Sequence, residues 1–431
     1  MKPHSRVLPV LFATLLLDMT GFGIVFPIIP VLFTDPSSPS FVLHGYSQGT
    51  QFMLAGAVTA LWGVTQFIAA PIAGELSDMV GRKRLLMVGV GVLGASQLLF
   101  GFGVQTRSVT LLLAARAIAG IAAGNAAVAQ ATIADVTAPK DRAKNFGLIG
   151  AAFGIGFVLG PLLSGWIVGL TGDPAMPLWA AGLLGAINLL VVGLFLPETN
   201  QRRITPGRLR LSKGIRNIVA AIRDTETRPL YGASFLYLLG FSFLPPFYGV
   251  FLVNRLGFNA TQVGLAFAAV GACVTFAQLV LLPPLTRRFS ERAILRVSMA
   301  MVAVSMTMFS FLPTWWLVVA MIPFTAIPQG LSLANMAALI SRSVPADRQG
   351  VALGINGSLL ALGSALAPAI GGVGAGVLDI HTPFVLGGLS IVAAWSVLFI
   401  VATRRARDDR STFPVAAAVR PAAGPGGDQS G

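Results

Sequence analysis

The chain reads as an all-α polytopic membrane protein, twelve transmembrane helices in two six-helix halves. Three observations predict this: an apolar composition, twelve apolar runs of helix length, and positive charge gathered on one side. Of 431 residues, 55% are hydrophobic and 11% charged, and the mean hydropathy is +0.79. That is far more apolar than a soluble domain tolerates. With a window of about 19 residues, runs fall at 7–33, 52–74, 85–104, 109–134, 146–170 and 176–196. After a basic interval they resume at 230–253, 263–285, 294–312, 315–340, 351–377 and 384–401. Hydrocarbon cannot hydrogen-bond free backbone groups, and the runs are too long for the alternating strands of a barrel, so each span must be helical.

The first run starts behind Lys2 and Arg6, is too long for a signal peptide and has no small-residue cleavage pattern. It is read as a retained first span. An even number of spans puts both termini on one face, and that face collects nearly all of the 30 Lys and Arg residues. Arg82, Lys83 and Arg84, then Lys140, Arg142 and Lys144, lie there. So do the basic interval 202–228, Arg287, Arg288, Arg292, Arg296, Arg342 and Arg348. The positive-inside rule makes that face cytoplasmic and the protein a multi-pass component of the cytoplasmic (inner) membrane, with both termini in the cytoplasm. The net charge of +14 is then topological, with anionic lipid as its partner and no nucleic acid implied.

Composition divides the chain into a first half, 1–197, a linker, 198–228, a second half, 229–403, and a disordered tail, 404–431, rich in Ala, Gly and Pro. The halves echo one another. PKDR at 139–142 precedes Gly156, Gly160, Pro161 and Gly165, and PADR at 345–348 precedes Gly363, Ala367, Pro368 and Gly372, the pattern of an internal repeat. Cys273, the single cysteine, reads as a small core residue.

Two charged side chains lie deep within spans, Asp18 in the first and Arg116 in the fourth. At 1.5 Å per residue, Asp18 is roughly 17 Å from the start of its run and Arg116 about 10 Å from the opposite face, near the middle of an approximately 30 Å core. A charge there costs about 2.5 to 3.5 kcal/mol on insertion scales and is usually functional. The bland alternative is a static Asp18–Arg116 ion pair holding two helices together. In the functional reading, burial favours the neutral acid and a nearby cation the carboxylate, so access from either side changes protonation. Gln66, Asn125, Gln130, Asn188, Gln278, Gln329, Asn335 and Asn356 are candidates to line a cavity, each equally suited to bonding a neighbouring helix. Phe22, Phe26, Phe235, Tyr237, Phe241 and Tyr248 are candidate aromatic walls for a lipophilic cargo.

Other chemistries are excluded by what the residues lack. Gly89, Gly91 and Gly94 spell GxGxxG inside an apolar helix with no strand before it, and His4, His44 and His381 have no metal-ligand spacing. No Walker A sequence, paired catalytic carboxylates or nucleophile elbow occurs, so neither an enzyme, an ATP-driven pump nor a metal site is expected.

The segment GELSDMVGRKRLL at 74–86 resembles the signature between the second and third spans of the major facilitator superfamily. LAARAIAG at 113–120 resembles its LARxxxG element, and GIGFVLGPLLSG at 154–165 its fifth-span antiporter signature. LDMTGFGIVFPIIP at 17–30 and IADVTAPKDRAKNFG at 133–147 are similar to the tetracycline-efflux branch of the twelve-span drug:proton antiporters. The resemblance implies a charge cluster of Asp78, Arg82 and Asp135, introduced by Gly74, that latches the outward-open state. The second-half counterpart carries Arg287 where Asp78 aligns, which implies a one-sided latch. It also implies that Gly156, Gly160, Pro161 and Gly165 form a leak-proof seam, beside the plainer role of close helix packing.

The expected function is therefore export of small amphipathic compounds or drugs by alternating access, with Asp18 and Arg116 coupling proton entry to it. The proton is the coupling ion, no other cofactor is implied, and a monomer is expected. Tetracycline-like cargo is one candidate, although the ninth span lacks the acidic residue that tetracycline exporters carry there. An uptake symporter or facilitator and a non-transporting scaffold or receptor are the rival readings.

Overall fold

The computed structural model describes residues 4–137, 142–200, 216, 219, 223, 227–345 and 349–412. Most of the linker 198–228, the segment PKDR except Arg142, the segment PADR except Pro345, and the tail from 413 lie outside them. Among the described residues, twelve helices are long and apolar enough to cross a membrane. They are Val7–Phe33, Gln48–Val80, Arg82–Gln105, Val109–Val136, Ile149–Thr171, Met176–Phe195, Arg228–Leu256, Ala260–Arg288, Glu291–Phe309, Trp315–Arg342, Val351–Val377 and Thr382–Phe399.

Each span overlaps its expected run, and the differences have local causes. The second starts earlier than 52 because the Ser47 hydroxyl accepts from the Thr50 backbone N–H, capping the helix at Gln48. It runs on to Val80 because a helix need not stop where hydrocarbon does. The turn into the third span is made by Gly81 at φ 107°, a conformation that excludes nearly all other residues.

Several spans are interrupted near their middles. The first is split into His4–Ile24 and Ile28–Phe33 ahead of Pro27 and Pro30, and the seventh into Arg228–Ser242 and Leu244–Leu256 ahead of Pro245 and Pro246. The fourth breaks between Ala122 and Asn125, at Gly124, and the eighth passes through a π-helical turn, Ala277–Leu281, before Pro283. Proline removes a backbone donor and crowds the preceding turn, so these breaks are sequence-encoded.

The first six spans pack as one bundle, the first against the fifth and sixth, the third against the fourth and sixth, and the second against the fourth. The last six pack alike, the seventh against the eleventh and twelfth, the ninth against the tenth and twelfth, and the eighth against the tenth. The bundles meet along two seams, second span to eleventh and fifth to eighth, with the first also touching the seventh. A Cβ on Gly56 would stand 2.4 Å from the Pro368 carbonyl oxygen, so the second and eleventh helices touch backbone to backbone there. The seams are tight toward the face opposite the basic one. Toward the basic face, Gly74, Gly150, Gly354 and Gly357, all on seam-forming spans, have open space beside them. The outer circumference of the bundles exposes Trp166, Leu183, Leu190, Leu194, Val297, Val304, Trp315 and Trp316, a surface suited to lipid as solvent.

Candidate functional site

Asp18 is 5% exposed, well inside the first span, and two amides from other helices hold it. Asn125 Nδ2, from the fourth span just past its break, donates to Oδ2 at 3.0 Å. Asn188 Nδ2, from the sixth, donates to Oδ1 at 2.9 Å and also to the Thr14 carbonyl at 3.0 Å. Both asparagines were candidate cavity liners by sequence; the structure makes them the carboxyl group's partners instead. The cradle has spare acceptors: Asn188 Oδ1 and Thr14 Oγ1 are buried without hydrogen-bond partners. Unmet buried acceptors are costly and call for a reason.

Arg116 corrects one expectation. It is 3% exposed and forms no ion pair with Asp18; its guanidinium lies over the Trp62 ring, 6.0 Å from the centroid, and its Nε has no hydrogen-bond partner. The two spans have 27 and 28 residues and so run about 40 Å, not 30 Å. Their depths from opposite faces therefore do not place the two charges at one level. Along the fourth span, Asn125 lies nine residues beyond Arg116.

The expected charge cluster is assembled, wholly within the first bundle. Arg82 Nη2 lies 2.5 Å from Asp78 Oδ1 and its Nε donates to Asp135 Oδ2 at 3.0 Å. Its Nη1 also donates to the Ser77 hydroxyl. Sequence reasoning missed the contribution of the irregular segment after the sixth span. Glu198 Oε1 accepts from the Arg82 backbone N–H at 2.9 Å, and Asn200 Nδ2 donates to the Asp78 carbonyl at 2.9 Å. The basic-face ends of spans two, three, four and six are thereby tied together. Gly74 itself stands beside open space.

The fifth-span motif faces two ways. Gly156 and Gly160 abut Met19, Thr20 and Gly23 of the first span, Pro161 also touches Gly23, and Gly165 abuts Thr261 of the eighth. The motif therefore joins the helix carrying Asp18 to the seam between bundles. Aromatic contacts cross the same region: Trp62 packs on Phe22 at 4.6 Å, Phe22 on Phe26 at 5.0 Å, and Phe26 on Phe267 of the second bundle at 5.5 Å. Trp62 and Phe267 were not foreseen, because an aromatic residue in an apolar run gives no sign of its direction.

The remaining candidates scatter. Tyr237 donates to the Gln329 carbonyl at 3.3 Å, Asn335 to the Leu331 carbonyl of its own helix at 2.7 Å, and Asn356 Oδ1 accepts from Ser234 at 2.6 Å. These serve helix packing. Tyr248 Oη and Gln329 Oε1 lack partners and share a crevice with room of ≈ 20 Å³, enough for about one water. Phe235, Phe241, Gln66 and Gln278 are half-buried, and Gln130 is exposed.

A buried carboxyl group inside one of two like-packed bundles of six membrane-spanning helices defines a multi-pass membrane transport protein rather than an enzyme. The sequence profile of the Major Facilitator Superfamily matches residues 11–229 and again residues 230–424, and the chain belongs to that family. It is 31% identical over 370 residues to the tetracycline resistance protein, class C, of Escherichia coli, covering 86% of this chain and 89% of that one. It is 27% identical over 409 residues to multidrug resistance protein 1 of Bacillus subtilis (strain 168), covering 92% and 97%. Among solved structures, the human organic anion transporter MFSD10 (TETRAN) matches with a TM-score of 0.70 at 22% identity, covering 92% of this chain and all of that one. That last likeness is one of fold.

Proposed function

We propose that this protein is a proton-coupled antiporter that exports small amphipathic compounds, drugs among them, across the cytoplasmic membrane. The observation that carries the reading is Asp18: a buried carboxyl group with no cation beside it, held by two amides, with vacant acceptors at hand. A proton arriving at Asp18 needs an acceptor for its O–H, and Asn125, which donates to Asp18 alone, supplies one by turning its amide. The bundles, residues 1–197 and 229–403 joined by 198–228, rock about the seams. By the positive-inside rule the basic face is cytoplasmic, as are both termini. Differential binding of the proton to the two access states couples the fluxes. Both seams lie within one chain, so a monomer suffices. The resistance proteins it resembles support export as the direction.

Everted vesicles with an acid interior test this. Tetracycline and a panel of amphipathic toxic compounds should accumulate inside, and a protonophore should release them. Accumulation in right-side-out vesicles under an inward proton gradient would make the protein an uptake symporter. No flux in either would leave a scaffold.

The Arg82 cluster is proposed to set the rate of rocking, because Asp78 is 37% exposed at its side chain and stands where the second bundle must approach. Asp78→Asn should slow turnover about fivefold, the equivalent of ~1 kcal/mol, with cargo affinity unchanged. An unaltered initial rate would count against the role.

A further inference from the structure

We propose that the cargo is an amphipathic organic anion whose acidic group docks on Arg116 and whose aromatic or apolar body lies against Trp62 and Phe22. The inference rests on the transport reading and names its substrate class. A guanidinium stays charged in any protein environment, and a buried charge is strongly unfavourable unless compensated. Arg116 is 3% exposed, its Nε is unsatisfied, and its neighbour is the aromatic face of Trp62. An aromatic ring recovers part of that cost, not all.

Among the described residues no carboxylate is paired with Arg116. Asp18 is the acidic residue within the depth of the spans, and it is occupied by Asn125 and Asn188. Asp78, Asp135 and Glu198 are engaged at the basic face. Every other described carboxylate lies in a loop or at a helix end. The counter-charge must therefore come from what enters the passage. Trp62 and Phe22 are half-buried and stack at 4.6 Å, so a flat apolar body has a panel beside the cation. The arrangement separates the two tasks along the fourth span: the proton sits at Asp18 near Asn125, the anion at Arg116, nine residues earlier in that span. Cargo and proton then compete through the conformation and not for one atom. An anion leaving as a proton enters also moves two charges across the membrane, which makes export steeper in voltage than for a neutral cargo.

The test is equilibrium binding to the full-length protein in nanodiscs, with no pH gradient and with the signal of empty nanodiscs subtracted. The probes are anilinonaphthalene sulfonate and its uncharged parent, phenyl-naphthylamine. The sulfonate should bind the wild type, and Arg116→Gln should weaken it about tenfold or more while shifting the parent less than about twofold. Arg116→Lys should fall between, keeping charge and losing the planar fork. Because no pair is broken, Arg116→Gln should unfold at no lower temperature than the wild type. Three results would overturn the proposal: no specific sulfonate binding, equal weakening of both probes, or a lowered melting temperature that marks Arg116 as a structural partner. Since no gradient is present, failure here leaves proton-driven flux in everted vesicles as a separate question.

Discussion

Asp18→Asn is expected to insert and fold normally and to lose active accumulation of cargo in everted vesicles. The substitution keeps the size of the side chain and removes the one group that takes up a proton in the first span. Its new amide N–H would face an amide donor, but the contact can be repaired. Asn125 donates to Asp18 alone, so turning its amide presents an oxygen to the new donor. Asn188 is pinned by its second bond to the Thr14 carbonyl and keeps its orientation. The cradle thus survives while the proton site does not. The electrical part of one proton's driving force is about 2.3 kcal/mol per 100 mV, an accumulation ratio of about fifty-fold, and that ratio should collapse to background. Protein level and melting temperature, measured beside flux, separate loss of coupling from loss of fold. Wild-type accumulation by this variant would remove Asp18 from the coupling role.

The twelve spans were legible because apolar length is a property of each segment taken alone. Their interruptions were partly so, since Pro27, Pro245 and Pro283 are visible as breakers, whereas the break at Gly124 follows no proline. The site was legible in its chemistry and not in its pairing. A lone Asp and a lone Arg at depth announce themselves by cost, and joining them is the cheapest guess. What decides the matter is offset along the spans: Arg116 meets Trp62, and the asparagines that sit level with Asp18 become its partners. Asn125 and Asn188 were recognised as polar residues in greasy helices, but nothing in their neighbours in sequence says which way an amide faces. The Arg82 cluster was read from a motif, while Glu198 and Asn200 escaped because they belong to no periodic pattern and reach Arg82 and Asp78 only through the folded chain.

Gly160→Val should cost transport as completely as loss of the carboxyl group, by a different route. A Cβ at residue 160 would lie 2.4 Å from the Thr20 carbonyl oxygen and 2.7 Å from the Gly23 Cα. Both are backbone atoms, so no side chain can swing aside. Relief requires the first span to move away from the fifth by about 1 Å to regain ordinary contact, and overpacking of this kind costs about 1–3 kcal/mol. Thr20 is two residues from Asp18, whereas Asn125 and Asn188 are carried by other helices. Hydrogen bonds of 2.9 and 3.0 Å do not survive such a displacement. Misplacement by 1 Å can lower a catalysed rate about a hundredfold, and a comparable loss of coupled flux is expected here. Gly150→Ala on the same helix is the control, because nothing lies within 4 Å of its Cβ position; it should transport like the wild type. If Gly160→Val transports normally, the first and fifth spans slide freely past one another, and the position of Asp18 is fixed by its asparagines alone.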